Sequence, residues 1–262
     1  MKLVCLNAWE GKRLDALTQF IKNTREETDF FCFQEIFHAN YIEKENPHFC
    51  LSLLDNLLAL LPGFYSSFAP MLSASDFSKG FATGVSVGNT IFSKEEFEIV
   101  DEGNFYTFGS SYEFVEKDPH KVSILQYTKI RIADKILTLA NVHGIARWPK
   151  VDTPERFEQL KNIQEFLAKS GTPMILCGDF NLFPNTESIK ALGKNMRNLT
   201  KEFSISTTRS SIARQQFSAQ IDKDTISDYV FVSPDIQVRS FTVPEMEVSD
   251  HLPLKLDFII DV

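Results

Sequence analysis

Three stretches of this chain are apolar almost without a break and then stop on polar side chains. Leu3-Val4-Cys5-Leu6 stops on Asn7, Phe30-Phe31-Cys32-Phe33 on Gln34-Glu35, and Met174-Ile175-Leu176-Cys177-Gly178 on Asp179. A strand with one wet face alternates apolar and polar residues, so runs of this kind read as strands buried on both faces. Helical spacing lies between them: Leu14, Leu17 and Ile21 recur at intervals of three and four. Strands covered on both faces and joined by helices imply a layered α/β domain. Such a domain collects functional side chains at the carboxyl ends of its strands, which is where these runs stop.

The rest of the chain fits the same frame. Strand signals fall at 2–8, 29–35, 64–68, 84–92, 97–100, 122–132, 136–143, 174–179, 203–207, 228–232 and 254–260, with a hairpin turn at Ala133-Asp134-Lys135. Helices are predicted at 13–26 and around Leu51, Leu54, Leu58 and Leu61, ended by Pro62-Gly63. A third opens with Thr153 as N-cap and Pro154 in the first turn, buries Phe157, Leu160, Ile163 and Leu167, and stops at Gly171. A short fourth covers 186–192. With βα units at both ends and a strand-rich middle, the expected fold is α/β, with two mixed sheets packed together and helices outside, in one domain spanning 1–262. Of the 262 residues 43% are hydrophobic, enough for a large core, and 24 are Phe, which implies bulky layers between the elements.

Charge and cysteine content narrow the setting. The net charge of −8 argues against a surface that grips duplex nucleic acid through many phosphates. One segment runs the other way: 186–223 holds seven Lys or Arg (Lys190, Lys194, Arg197, Lys201, Arg209, Arg214, Lys223) against Glu187, Glu202 and Asp222. It reads either as a phosphate-rich substrate groove or as a solvated surface. Arg209 and Arg147 are the individual candidates for phosphate contacts, Trp148 for stacking or packing, and Phe64, Tyr65, Phe68, Phe77 and Phe81 for core or a specificity loop. Cys5, Cys32, Cys50 and Cys177 show no metal or redox spacing and read as reduced thiols. No leader pattern and no membrane-length apolar stretch is present, so a cytoplasmic protein without membrane insertion is expected.

The polar ends carry the chemistry. In a strand Asp179 and Asn181 face one way, about 7 Å apart, and Phe180 the other. Glu35 ends a buried run and needs a partner; a hard cation such as Mg2+ is a natural one. Asn7, Asn141 and His143 end further strands. His251 follows Asp250, and Asp228 heads the preceding strand; a carboxylate on one imidazole nitrogen fixes the tautomer and leaves the other for a proton or a phosphate.

Leu6-Asn7-Ala8-Trp9, Gln34-Glu35, Asn141-Val142-His143, Gly178-Asp179-Phe180-Asn181, Ser227-Asp228-Tyr229-Val230-Phe231 and Ser249-Asp250-His251 occur in this order, and together they resemble the endonuclease/exonuclease/phosphatase superfamily. The resemblance implies a four-layered α/β sandwich and a hydrolase of phosphodiester or phosphomonoester bonds that uses in-line water attack. It implies Glu35 as principal ligand of Mg2+ or Mn2+, with Asn7 beside it and Asp250 as a further ligand. Asp179 would orient or deprotonate the water, Asn181 and Asn141 would hold the phosphate, and Asp228 would pair with His251. His251 and His143 would bind the phosphate and assist proton transfer. A DNA nuclease or DNA-repair phosphodiesterase, a lipid phosphodiesterase and a degenerate binding protein are the competing readings. Three departures stand out: Gly144 follows His143 where a bulkier residue is common, no Arg stands just upstream of Asp228, and no Tyr matches that of abasic-site endonucleases.

Overall fold

The apolar runs divide their side chains between two partners. In the computed structural model, which describes residues 1–75, 80–111, 118–171, 173–216 and 226–260, β1 (Lys2–Asn7) pairs in parallel with β2 (Phe30–Ile42). Leu3 and Cys5 of β1 point into a layer shared with a second sheet, while Val4 and Leu6 pack under helices α1 (Leu14–Thr24) and α2 (Leu53–Leu60). Period-two alternation with both faces apolar is the physical reason for the unbroken runs. The first sheet has the order β11-β12-β1-β2-β4-β3, completed by β3 (Phe64–Ser75), β4 (Ala82–Lys94), β11 (Ile236–Thr242) and β12 (Leu254–Ile260).

The second sheet repeats the plan. Its order is β5-β6-β7-β8-β10-β9, from β5 (Glu98–Phe108), β6 (Ser123–Ile132), β7 (Lys135–His143), β8 (Met174–Asp179), β9 (Arg197–Asn198) and β10 (Asp228–Val232). β7 and β8 are parallel, and the other pairs in this sheet are antiparallel. Ile175 and Cys177 face the first sheet; Met174 and Leu176 face outward with Ile163 of α3 (Pro154–Ser170) and Ile189 of α4 (Glu187–Leu192). The result is the expected four-layered α/β sandwich. Two short helices, α5 (Leu199–Glu202) and α6 (Ser211–Gln216), lie in the connection from β9 to β10.

Several boundaries differ from those read in the sequence. β2 does not stop at Glu35: its register shifts between Phe33 and Ile36, Glu35 takes φ 58°, and pairing resumes to Ile42. This bulge turns one carboxylate out of a strand whose neighbours are buried. Residues 203–207 form no strand; Ser204 has φ 53° and the chain bends. β11 was not predicted, because an edge strand reading Ile-Gln-Val-Arg-Ser-Phe-Thr carries little apolar signal. In α3 the buried face holds Arg156, Gln159 and Ile163, and Phe157 is exposed; in α2 Leu58 is exposed while Leu53, Leu54 and Leu57 are buried. Thr153 caps α3 as expected, its side chain accepting from the Arg156 N–H.

Candidate active site

The rim of the two sheets gathers most of the polar ends. Asn7 leaves β1 there, and its Nδ2 donates to Glu35 Oε1 at 2.9 Å in its own sheet and to Asp179 Oδ2 at 3.4 Å in the other. Its Oδ1 accepts from the Trp9 N–H at 2.9 Å, which fixes the amide orientation. A cavity of about 470 Å3 opens over this rim, and Glu35, Asp179, Asn181, Arg209, Asp250 and His251 line it.

His251, just before β12 of the first sheet, is held by Asp228 at the head of β10 in the second. Its Nδ1 lies 2.8 and 2.9 Å from the two oxygens of Asp228, whose Oδ2 also accepts from Thr208 Oγ1 at 2.6 Å and Ser227 Oγ at 3.1 Å. Nδ1 therefore carries a proton, and Nε2 faces the cavity, 3.5 Å from Asp179 Oδ2 and 3.8 Å from Asp250 Oδ1, in contact with Arg209 Nη1. Nε2 accepts from Arg209 when the ring is neutral and donates toward Asp179 when it is charged. Burial and the Arg209 charge push the imidazole pKa down, but Asp228, Asp250 and Asp179 outweigh them and leave it raised. Arg209 donates to Asp250 Oδ2 at 3.0 Å and Ser227 Oγ at 3.1 Å, and its backbone bridges that of His251.

Asp179 is the buried anion at the centre. Burial by itself would raise its pKa, but Lys150, His251, Arg209 and His143 hold it well below the usual carboxylate range. Its Oδ1 accepts from the Asn181 N–H at 2.8 Å. β8 has ended by then: Asn181 has φ 52° and reaches the cavity through this side-chain turn, not by strand alternation. Phe180 anchors the turn against Tyr229 and Phe231.

Glu35 has the opposite electrostatics. Burial, then the carboxylates of Glu10 and Asp250, push its pKa up to about 7, against the opposing effects of Asn7 and His251. His143 Nε2 lies 3.6 Å from Glu35 Oε1 and has no hydrogen-bond partner among the described residues. Burial outweighs the nearby carboxylates and lowers the His143 pKa, so this imidazole is neutral at pH 7.

Gly144 has a steric cause. Its N–H donates to the Asp179 carbonyl at 2.7 Å, and a Cβ there would stand 2.2 Å from the Phe180 carbonyl oxygen. The strand ends that present His143 and Asp179 close too tightly for a side chain. Gly144→Ala is expected to destabilise the fold by about 1–3 kcal/mol through overpacking, measured by urea unfolding; an unchanged midpoint would contradict the contact.

Two predicted substrate contacts lie elsewhere. Asn141 is fully buried between the sheets: its Oδ1 accepts from Gln34 Nε2 at 2.6 Å, and its Nδ2 donates to the carbonyls of Phe33 and Thr90. It ties the sheets together and does not line the cavity. Arg147 points away, exposed, to Asp118 Oδ2 at 3.2 Å. In the basic segment Lys190 pairs with Glu187 and Arg197 with Glu202, and Arg209 is the only one of its described cations in the cavity wall; Asp222 and Lys223 lie outside the described residues. Phe64 and Phe68 pack against the core under α1 and α2, Tyr65 donates to Glu102 at 2.9 Å, and Phe77 is outside the described residues. The sequence reading missed Lys150, Glu10, Trp9 and Phe183 in the wall. Trp9 closes the Leu6-Asn7-Ala8-Trp9 motif without having been given a role; the only signal of the other three was sequence proximity to motifs.

The sequence model of the Endonuclease/Exonuclease/phosphatase family matches residues 5–251, from within β1 to His251. The chain belongs to this family. Among its relatives is human Nocturnin, 22% identical over 199 residues, 75% of this chain but only 42% of that protein. The chain therefore matches less than half the length of this curated relative. Solved family structures share the fold: a mannosyl-6-phosphatase of Bacteroides thetaiotaomicron superposes with TM-score 0.71 at 18% identity, covering 99% of both chains. The human Nocturnin catalytic domain, with a bound sulfate anion, gives TM-score 0.67 at 20% identity, covering all of this chain and 93% of that one.

Proposed function

We propose that this chain is a divalent-metal-dependent phosphoesterase that activates water with Asp179. The observation that carries the reading is an ionised, buried Asp179 facing a cavity beside the Asp228–His251 pair and opposite Glu35. A carboxylate that stays charged at neutral pH is placed to orient a water and accept its proton. Asn181 and Arg209 offer N–H donors to phosphoryl oxygens, and His251, oriented by Asp228, offers a proton through Nε2 to the leaving or attacking oxygen. The neutral His143 presents its unpartnered Nε2 to the same region.

The donor set fits a hard cation. Glu35, Glu10 and Asp250 crowd carboxylates at one end of the rim, and burial, reinforced by that crowding, keeps the Glu35 proton on up to about pH 7. Glu35 with Asp250 would hold Mg2+ or Mn2+, which supplies polarisation of the phosphoryl oxygen; the Asn7 amide, expected as a further ligand, instead turns its Nδ2 donor to Glu35 and its Oδ1 to the Trp9 N–H. Asp179, Asp228 and His251 also bring three ligand atoms within 4.8 Å of one another. We favour Glu35, because both Asp228 oxygens are already committed to His251 Nδ1, Thr208 and Ser227.

Phosphomonoester and phosphodiester substrates, nucleic acid among them, fall within this reading; the complete set of polar groups argues against a binding-only role. A cytoplasmic setting belongs to it as well, supported by four free thiols. The test is turnover of a panel of DNA, nucleotide, phosphoinositide and nitrophenyl esters with Mg2+, Mn2+ or chelator. Metal-dependent release of phosphate or alcohol is expected; no turnover on any class, or turnover indifferent to chelator, would overturn the proposal.

A pH dependence follows from Glu35. A carboxyl raised to about 7 favours the metal-free fold at low pH by about 3 kcal/mol, an advantage lost as pH climbs from the unfolded value through 7. A cation needs the anion, so apparent Mg2+ affinity should fall about tenfold per pH unit below 7 and level off above it. Mg2+ should therefore raise Tm more at pH 8 than at pH 5.5; the reverse order would refute Glu35 as principal ligand.

A further inference from the structure

The loop between β7 and α3 is a built object. The buried Arg156 guanidinium donates to the carbonyls of Ile145, Arg147, Pro149 and Val151, every second residue of the loop. Phe183 N–H donates to the Lys150 carbonyl at 2.9 Å, and Asp152 accepts from the first N–H groups of α4. With the backbone fixed this way, the intervening side chains of Trp148 and Lys150 line the cavity.

Lys150 acts on the site through charge alone, as one of the cations that hold Asp179 ionised. Its Nζ is buried and has no hydrogen-bond partner among the described residues. Burial, then the Arg209 charge, lowers its pKa to about 8 against the pull of Asp179, Asp228 and Asp250. An unpartnered buried ammonium is costly, and proteins retain one where a ligand completes it.

We propose that Lys150 binds a non-bridging oxygen of the substrate phosphate and, together with Arg209, biases the site toward a terminal phosphate over a diester. This rests on the phosphoesterase reading above. A phosphodiester brings one negative charge and two free oxygens; a terminal phosphomonoester brings close to two charges and three oxygens at neutral pH. Lys150 and Arg209 give two cations around Asp179 in the cavity wall. That count matches the monoester. Lys150 is a point charge that adjusts to oxygen position, whereas the Arg209 fork is already tied to Asp250 and Ser227.

The test compares wild type, Lys150→Met and Lys150→Arg on p-nitrophenyl phosphate and bis-p-nitrophenyl phosphate with Mg2+. Lys150→Met should lose about a hundredfold in kcat/KM on the monoester and under about tenfold on the diester, since the lost donor acts on developing phosphoryl charge. Lys150→Arg should recover most of the monoester rate. Met matches the stem, so a folded variant is expected, with a Tm lowered by the charge lost beside Asp179, which thermal melting reads before the kinetics are compared. Inorganic phosphate should raise the Tm of wild type and not of Lys150→Met. Equal losses on both esters, no loss, or phosphate stabilising the variant as well as wild type would overturn the proposal. Should wild type turn over neither ester, the phosphoesterase reading passes to the wider panel above, while the phosphate comparison still decides Lys150.

Discussion

Replacing Asp179 with asparagine should lower kcat by about 10²–10⁴-fold, the range carried by a positioned general base. The amide keeps the size of the carboxylate and can still accept from the Asn181 N–H, so the turn at the end of β8 is preserved. What disappears is the charge that Lys150, His251 and Arg209 hold ionised. The same change should weaken the fold by about 3–5 kcal/mol, because removing one partner of a buried charge cluster leaves the others uncompensated. Its sign with pH is fixed by the depressed pKa. The Asp179 contribution is present at neutral pH and fades as pH falls below about 4. Wild type should therefore lose stability on acidification more steeply than Asp179→Asn. Single-turnover kinetics and urea unfolding from pH 3 to 7 read both effects. A variant within tenfold of wild-type kcat would remove Asp179 from the reaction.

Arg156→Met should give the largest loss of stability without touching a reacting group. Four carbonyls, one buried and three half-buried with their bonds to Arg156, lose their charged donor. Leaving buried acceptors unpaired costs about 1–3 kcal/mol apiece, partly relieved by relaxation, so a net loss of about 4 kcal/mol is expected. For a chain of this length that lowers Tm by roughly 10 °C. Arg156→Lys should rescue little, since one ammonium cannot span four carbonyls. Activity should fall as well, because the loop presents Lys150 and Trp148 to the cavity. A Tm within about 2 °C of wild type would show that the loop holds itself.

Much of the architecture was legible because its cause is local. Leu3 and Cys5 meet one layer, Val4 and Leu6 another, and the chain records this as an unbroken apolar run. Asp179, Asp228 and His251 were legible as strand ends for the same reason. The misses share a different cause. Asn141 and His143 lie two residues apart on one face of β7, yet one is sealed between the sheets and the other reaches the rim. Depth along a strand, which alternation does not encode, separates their roles. Glu35 looked like a strand end and is a bulge, an irregularity set by pairing with β4. Arg156 reads as an ordinary surface charge in a helix; its burial depends on carbonyls brought round by the preceding loop. Lys150 is recognisable only once that loop exists.

The Asn7 amide touches Glu35 in one sheet and Asp179 in the other. The spacing between the cation-binding end and the water-activating end is therefore a dimension of the sandwich itself. It is set by the thickness of the layer in which Cys5, Cys32 and Cys177 meet Leu139 and Leu254. Substitutions far below the rim that thicken or thin this layer should act like a change in calibration. The protein would still fold and bind, yet the two halves of the site would no longer measure the same phosphate.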